Sequence, residues 1–90
     1  MLPENAKIYR EQPYINIDNK EQPIIIQGII DIIAMNENKI TVIDYKTSAV
    51  PRPEHHIQVQ QYLNAVSQAF PGKQAAAYIY YIMSDNLEML

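Results

Sequence analysis

The chain has 90 residues, which suits one small domain. Seven Lys or Arg and ten Asp or Glu give it a formal net charge of -3 at pH 7, which argues against a domain that binds nucleic acid through overall positive charge. It has no cysteine, which excludes disulfides, thiolate metal sites and cysteine-held iron-sulfur clusters. The longest apolar stretch, residues 24–34, is too short to span a bilayer and contains Asp31, and the N-terminus lacks the apolar segment of a signal peptide, so we expect a cytoplasmic domain without a membrane anchor.

Three β-strands are predicted in the first half of the chain. Lys7 to Asp18 mixes β-branched and aromatic residues with polar ones, and Pro13 indicates an irregular or edge strand. Ile24 to Met35 and Lys39 to Lys46 then read as a long hairpin that turns on an Asn-rich stretch. The sequence therefore begins with an antiparallel meander.

The second half predicts a helix and a final strand. From Glu54 to about Phe70 the apolar residues recur at helical spacing, and Pro71-Gly72 ends the pattern. Lys73 to Met83 then reads as a strand, so the order is strand, strand, strand, helix, strand. The helix would carry a right-handed crossover between the third and fourth strands. This order favours an α/β or α+β fold.

The second strand is apolar at almost every position, which is typical of a sheet that is covered on both faces. One helix can cover only one face. We therefore expect the other face to be covered by something outside this chain, either a neighbouring segment of a longer protein or a second copy that makes a homo-oligomer.

The predicted hairpin brings two carboxylates together. If the turn is centred between Glu37 and Asn38, Asp31 stands opposite Asp44, and Lys46 lies on the same face two residues further on. Like charges directly opposed in a sheet are destabilising, and one Lys does not neutralise two carboxylates. A hard divalent cation such as Mg²⁺, which prefers oxygen ligands, would compensate them.

A plainer interpretation exists for these residues. Asp-x-Lys at the end of a strand is most often a solvated turn. An Asp inside an isoleucine-rich strand is rarer, because burying an unpaired charge is costly, and Asp31 therefore favours a site. Gly28 in the same strand indicates a bulge or a close approach by another group, or only a detail of packing.

Four short motifs carry a resemblance to a known family. They are "REQPY" at residues 10–14, "GIID" at 28–31, "DYKT" at 44–47 and "QVQQY" at 58–62. In this order they resemble the PD-(D/E)XK nuclease superfamily, and specifically the RecB-like nuclease domains at the C-termini of RecB and AddA helicase-nucleases. The likeness runs from about Lys7 to Met83.

The resemblance implies a restriction-endonuclease-like core with a mixed four-stranded sheet, and makes residues 1–90 a single RecB-like nuclease domain from a larger protein. The family core usually begins with a helix that often carries a histidine. Here that first core helix is missing, and His55 and His56 follow the Asp-x-Lys motif instead, where we expect solvated residues at a helix end.

The resemblance also implies a set of site residues. Asp31 and Asp44 would hold Mg²⁺ or Mn²⁺ together with the backbone carbonyl of Tyr45, and Lys46 would orient the attacking water or stabilise the transition state. The remaining members would support the site or touch DNA, namely Gln58, Tyr62 and Glu11.

Three hypotheses follow. The first is a metal-dependent DNA nuclease, the exonuclease module of a DNA-repair helicase-nuclease whose partners are DNA and a helicase domain or subunit. The second is a catalytically incomplete module that uses the same fold to bind DNA or partner subunits. The third is a small structural protein whose acidic pair is only a surface feature.

Overall fold

The computed structural model describes the backbone of residues 2–18, 24–48 and 50–90, and the side chains of 2–14, 28–48 and 50–90. These described residues form one five-stranded sheet and one long helix. Within the described ranges, no helix is both long enough and apolar enough to cross a membrane. The elements are β1 (Lys7–Asp18), β2 (Ile24–Met35), β3 (Lys39–Lys46), α1 (Pro53–Ala69), β4 (Gln74–Tyr81) and β5 (Asn86–Met89), with a 3₁₀ turn at Ile82–Ser84.

The mixed α+β class is confirmed, and the first three strands have the predicted bounds. The predicted count of four strands is wrong, because the structure adds β5. This strand has only four residues, too few for an alternating pattern to be visible in the sequence. It returns along β4 after Asp85, whose φ of 49° places it in the left-handed region that turns require.

The strands lie in chain order across the sheet, β1-β2-β3-β4-β5. Among the strands that the structure describes, only β3 and β4 pair in parallel, and α1 connects them. The prediction from Pro13 is confirmed, since β1 is an edge strand of the sheet. The carboxyl ends of β3 and β4 and the beginning of α1 consequently meet at one end of the sheet.

The predicted hairpin register is confirmed where β2 and β3 pair. The pairs are Ile32 with Ile43, Ile33 with Val42, Ala34 with Thr41, and Met35 with Ile40. The turn is closed by the Asn36 side chain, whose Oδ1 accepts the backbone N–H groups of Asn38 and Lys39 at 2.9 and 2.8 Å. The Asn-rich stretch therefore forms a turn because an Asn side chain takes the place of a backbone acceptor.

The core lies between α1 and one face of the sheet. Val59, Tyr62 and Val66 form the buried stripe of the helix, at the spacing expected for one helical face. They pack on alternate residues of the central strands, which are almost fully buried: Ile33, Ile40, Val42, Ala77, Ile79 and Tyr81.

The opposite face of the sheet is less exposed than the sequence predicts. Its centre, formed by Ile32, Ala34, Thr41 and Ile43, is already buried within this chain. Apolar side chains are exposed around that centre, and they include Ile8, Tyr45, Leu87 and Met89. The apolar character of β2 on both sides is thus partly explained by burial within the chain.

Gly28 permits a close approach between β1 and β2. Tyr14 pairs with Gly28 across the two strands, and its ring lies where a side chain at residue 28 would stand. A Cβ at this position would be only 2.8 Å from Tyr14 Cε1. The ring of Tyr14 also packs edge-to-face on Tyr62, with the ring centroids 5.1 Å apart. The glycine in β2 therefore marks a close approach by a neighbouring side chain.

We predict that Gly28→Ala lowers the free energy of unfolding by about 1–2 kcal/mol, because the added methyl group displaces the Tyr14 ring from Tyr62. Gly72→Ala is the matched control, since nothing lies within 4 Å of a Cβ there, and its effect should stay within about 0.5 kcal/mol. Urea unfolding followed by circular dichroism measures both. Equal effects of the two substitutions would contradict the proposed contact.

Candidate active site

The candidate site lies where β3 ends and α1 begins. Asp44 and Lys46 alternate with outward-facing residues on β3 and so point to the helix side of the sheet. Gln58, in the second turn of α1, faces them. Residues of the strand and the helix therefore meet because the β3–α1–β4 crossover returns the helix over the strand that precedes it.

Asp44 is buried, with 3% of its surface exposed. The ammonium group of Lys46 lies 3.0 Å from Asp44 Oδ2, which makes an ion pair. Lys46 directs its hydrogen bond to Gln58 Oε1, however, and Asp44 Oδ2 has no hydrogen bond of good geometry among the described residues. This buried carboxylate oxygen thus has charge compensation from the Lys46 ammonium but no well-aligned hydrogen bond.

Asp31 is tied to β3 by its side chain. Its Oδ2 accepts the backbone N–H of Tyr45 at 2.9 Å. The described backbone pairs between β2 and β3 end at Ile32 with Ile43, one step before Asp31. Where the regular pairing of β2 with β3 ends, the carboxylate of Asp31 therefore accepts the hydrogen bond from the backbone N–H of β3.

The two carboxylates influence each other. Burial, opposed by the Lys46 ammonium and assisted by the neighbouring carboxyl group of Asp31, raises the pKa of Asp44 to about 6. Asp31 and Asp44 therefore lie together, as the hairpin register predicts. The contact between Asp31 and Asp44 is made by their side chains, because the described backbone pairing of β2 with β3 ends one step earlier, at Ile32 and Ile43.

The chemistry of these donors fits a hard divalent cation. Two carboxylates, with one buried oxygen that lacks a hydrogen bond, are typical ligands of Mg²⁺, which keeps several waters and needs few protein ligands. In the part of the chain that the structure describes, no group of three or more His, Cys, Asp or Glu side chains is placed to hold a metal. The donor set therefore suits Mg²⁺ or Mn²⁺ better than a closed zinc site.

The backbone and the side chain of Tyr45 are placed differently with respect to the site. Its backbone N–H holds Asp31, which places its peptide group beside both carboxylates. Its side chain points to the opposite face of the sheet and is exposed, with its ring centroid 5.9 Å from that of Tyr80. Any contribution of Tyr45 to the helix-side site consequently comes from its backbone.

Glu11 lies close to the acidic pair along the sheet and stays outside it. It has a φ of 51° and is skipped in the pairing of β1 with β2, although Arg10 and Gln12 on either side are paired. Continuity of that register places it level with Asp31. Its side chain is exposed, so the structure brings Glu11 near the site without joining it to the pair.

Gln58 and Tyr62 lie on the same face of α1 and differ in their surroundings. Gln58 accepts the hydrogen bond from Lys46 and is partly exposed. Tyr62 is 4% exposed, and burial, assisted by the charge of Asp44, raises its pKa to about 12. The phenol of Tyr62 therefore stays protonated beside the carboxylates and packs in the core, while Gln58 contacts the site directly.

Two residues near the site were not predicted to take part. Tyr81 is the parallel neighbour of Lys46 in the sheet, and its hydroxyl oxygen lies 3.2 Å from His55 Nδ1. His55 and His56 lie in the first turn of α1 and are partly exposed, and each also has a polar partner, since His56 Nε2 lies 2.7 Å from Glu88 Oε1. Only the β3–β4 register, counted from the sequence, could have indicated Tyr81.

In a comparison with known protein families, residues 3–88 match the family model of the PD-(D/E)XK nuclease superfamily. Three similar proteins are named as subunits of an ATP-dependent helicase/nuclease. The protein of Listeria monocytogenes is 37% identical over 88 residues, covering 82% of this chain and 7% of its own length. The protein of Streptococcus pneumoniae is 30% identical, and the match covers all of this chain and 8% of that protein. The protein of Lactiplantibacillus plantarum is 33% identical, and the match covers 89% of this chain and 8% of that protein. The chain thus spans less than a tenth of these relatives.

The raised pKa of Asp44 has a consequence for stability. Its pKa is about 6 in the folded chain against 3.8 for a free Asp, so the folded state holds a proton that the unfolded state loses between these values. Stability from this group is therefore full below about pH 4 and falls as the pH rises to 6. Ionised Asp44 costs the metal-free fold about 3 kcal/mol above that range.

We predict that Asp44→Asn raises the free energy of unfolding at pH 7.5 in the presence of a chelator by about 1–2 kcal/mol, because an amide carries no charge to bury. The gain should shrink as the pH is lowered from 6 to 4. Urea unfolding across this pH range measures it, with Glu37→Gln, an exposed turn residue, as the control for net charge. A gain that is constant with pH would contradict the buried charge.

Proposed function

The chain belongs to the PD-(D/E)XK nuclease superfamily, and on this premise we propose that it is a metal-dependent deoxyribonuclease domain that hydrolyses phosphodiester bonds. The observation that carries the proposal is the placement of Asp31, Asp44 and Lys46 together at one end of the sheet. Two carboxylates and an ammonium group at one end of the sheet are the groups needed to bind a cation and orient a water beside a phosphate.

In this proposal Asp31 and Asp44 hold Mg²⁺ or Mn²⁺, and the backbone carbonyl of Tyr45 is a further ligand. The bound cation would polarise the phosphodiester and lower the pKa of a water molecule. Lys46 orients the attacking water or stabilises the negative charge that develops on the phosphate. Asp31 keeps the Tyr45 peptide fixed through its hydrogen bond to the backbone N–H.

In this proposal Gln58 holds the ammonium group of Lys46. The Lys46 ammonium is shared between Asp44 and Gln58. A cation bound to Asp44 would weaken the attraction of Lys46 to that carboxylate, and the amide oxygen of Gln58 would still hold the ammonium near the site. Tyr62, one helical turn further on, supports the site from the core.

We further propose that the domain acts on DNA as the exonuclease module of a DNA-repair helicase-nuclease. The relatives that it resembles are named helicase/nuclease subunits, and it matches only a small part of each. The net charge of -3 is consistent with this assignment, because a helicase partner can guide the DNA strand that the domain alone would attract weakly.

A catalytically incomplete module that binds DNA or partner subunits is the alternative. The observation in its favour is that the described residues bring only two acidic side chains together and leave Glu11 outside the pair. Such a module would bind the cation through Asp31 and Asp44 and would not cleave. Measuring metal binding and DNA cleavage on the same protein separates the two functions.

We predict that the chain, assayed alone and within any longer protein that contains it, cleaves linear single- or double-stranded DNA when Mg²⁺ or Mn²⁺ is added. Asp31→Asn and Asp44→Asn should lower the rate at least about 100-fold, because they remove metal ligands. Lys46→Met should lower it similarly while metal binding, measured by isothermal titration calorimetry, is retained. Lys39→Met, an exposed Lys at the other end of β3, is the matched control.

The outcomes distinguish the hypotheses. Metal binding without cleavage in every form of the protein would favour the incomplete binding module. Absence of any metal binding that depends on Asp31 and Asp44 would show that the acidic pair is only structural. Equal loss of activity in Lys39→Met and Lys46→Met would contradict a specific role for Lys46.

A further inference from the structure

Tyr81 is a buried polar residue beside the candidate site that the proposed chemistry does not use. None of its surface is exposed, and it is the neighbour of Lys46 across the parallel β3–β4 pair. Burial raises the pKa of its phenol, the carboxylates of Glu88 and Asp44 raise it further, and the backbone of Arg52 opposes them. The hydroxyl is therefore protonated and lies within electrostatic reach of Asp44.

The hydroxyl of Tyr81 is bound by the first turn of α1. His55 Nδ1 lies 3.2 Å from it, and the two rings are 5.7 Å apart at 41°. The helix has no side-chain hydrogen bond at its N-cap, Arg52, so its first turn is not fixed in the usual way. The contact between His55 and Tyr81 supplies a fixed point for that turn.

The same turn leads directly to the residue that holds Lys46. His55 and Gln58 are three residues apart and so lie on one face of α1. His55 binds β4 at Tyr81, and Gln58 binds β3 at Lys46, which is the register neighbour of Tyr81. The two contacts are therefore parallel links between one helical face and adjacent strands.

We propose that Tyr81 and His55 are positioning residues, which hold the first turn of α1 against β4 so that Gln58 keeps the Lys46 ammonium beside Asp44. The effect on cleavage rests on the proposed function, while the effect on Lys46 does not. The hydroxyl of Tyr81 acts through His55 and the helix and does not touch substrate. An aromatic ring of the same size would fill the core equally well, so the hydroxyl alone carries the positioning.

His56 provides a matched comparison within the same helical turn. Its Nε2 lies 2.7 Å from Glu88 Oε1, so it links α1 to β5, at the side away from Lys46. Loss of this link should loosen the packing of α1 to a similar degree. A merely structural role for the first turn would therefore give His55 and His56 variants the same effect on Lys46.

The first measurement follows the mobility of the Lys46 side chain by ¹³C NMR relaxation at Cε, with the signal assigned by its loss in Lys46→Met. Tyr81→Phe and His55→Ala should each increase this mobility, and the double variant should go no further than the larger single effect, because both break one contact. His56→Ala should leave it unchanged. An unchanged Lys46 signal in Tyr81→Phe, or equal effects from His55→Ala and His56→Ala, would overturn the proposal.

The second measurement is DNA cleavage with Mg²⁺ or Mn²⁺. Tyr81→Phe should lower kcat about tenfold with KM and metal affinity nearly unchanged, because Lys46 is misplaced while both carboxylates remain. Wild-type activity in Tyr81→Phe would overturn the positioning role alone. A wild-type protein that never cleaves would refute the proposed function, and the Lys46 relaxation data would then decide the positioning role by themselves.

Discussion

The buried carboxylate of Asp44 is the constraint around which this end of the fold is arranged. A charge on the apolar side of a sheet is costly, and here it lies beside a second carboxylate with one ammonium group to offset them. A stable structural protein would replace such a group with an apolar side chain. Its presence between Val42 and the end of β3 is explained if the charge is needed to bind a cation, since the cation would supply what Lys46 alone does not.

The β3–α1–β4 unit provides the geometry for this charge. Parallel neighbours place Lys46 beside Tyr81, and the crossover brings the first turns of α1 over both strands. Residues that are distant in the sequence thus reach one end of the sheet. The helix is fixed there by polar contacts to the strands, whereas further along it is held by the apolar stripe of Val59, Tyr62 and Val66. The polar contacts of α1 therefore lie at the candidate site, and its apolar contacts lie in the core.

Much of this arrangement follows from periodicity. Alternation along β3 places Asp44 and Lys46 on one face, and the turn at Asn36 fixes the register that brings Asp31 to the same end. Three features do not follow from it: the short strand β5, the bond from Tyr45 N–H to the Asp31 side chain, and the link between His55 and Tyr81. Each depends on tertiary contacts between elements, which local patterns of apolar and polar residues do not encode.

If the site binds a cation, as we propose, the sharing of Lys46 between Asp44 and Gln58 would keep the ammonium in place with and without that cation. Without a cation, the ion pair to Asp44 offsets part of the cost of burying that carboxylate. If Lys46 had only this partner, neutralisation of Asp44 by a bound metal would release the ammonium into solvent. Because Gln58 also accepts a hydrogen bond from it, the ammonium would keep a partner in both states. The amide of Gln58 is neutral, so it holds the Lys46 ammonium without adding a third negative charge to the two carboxylates.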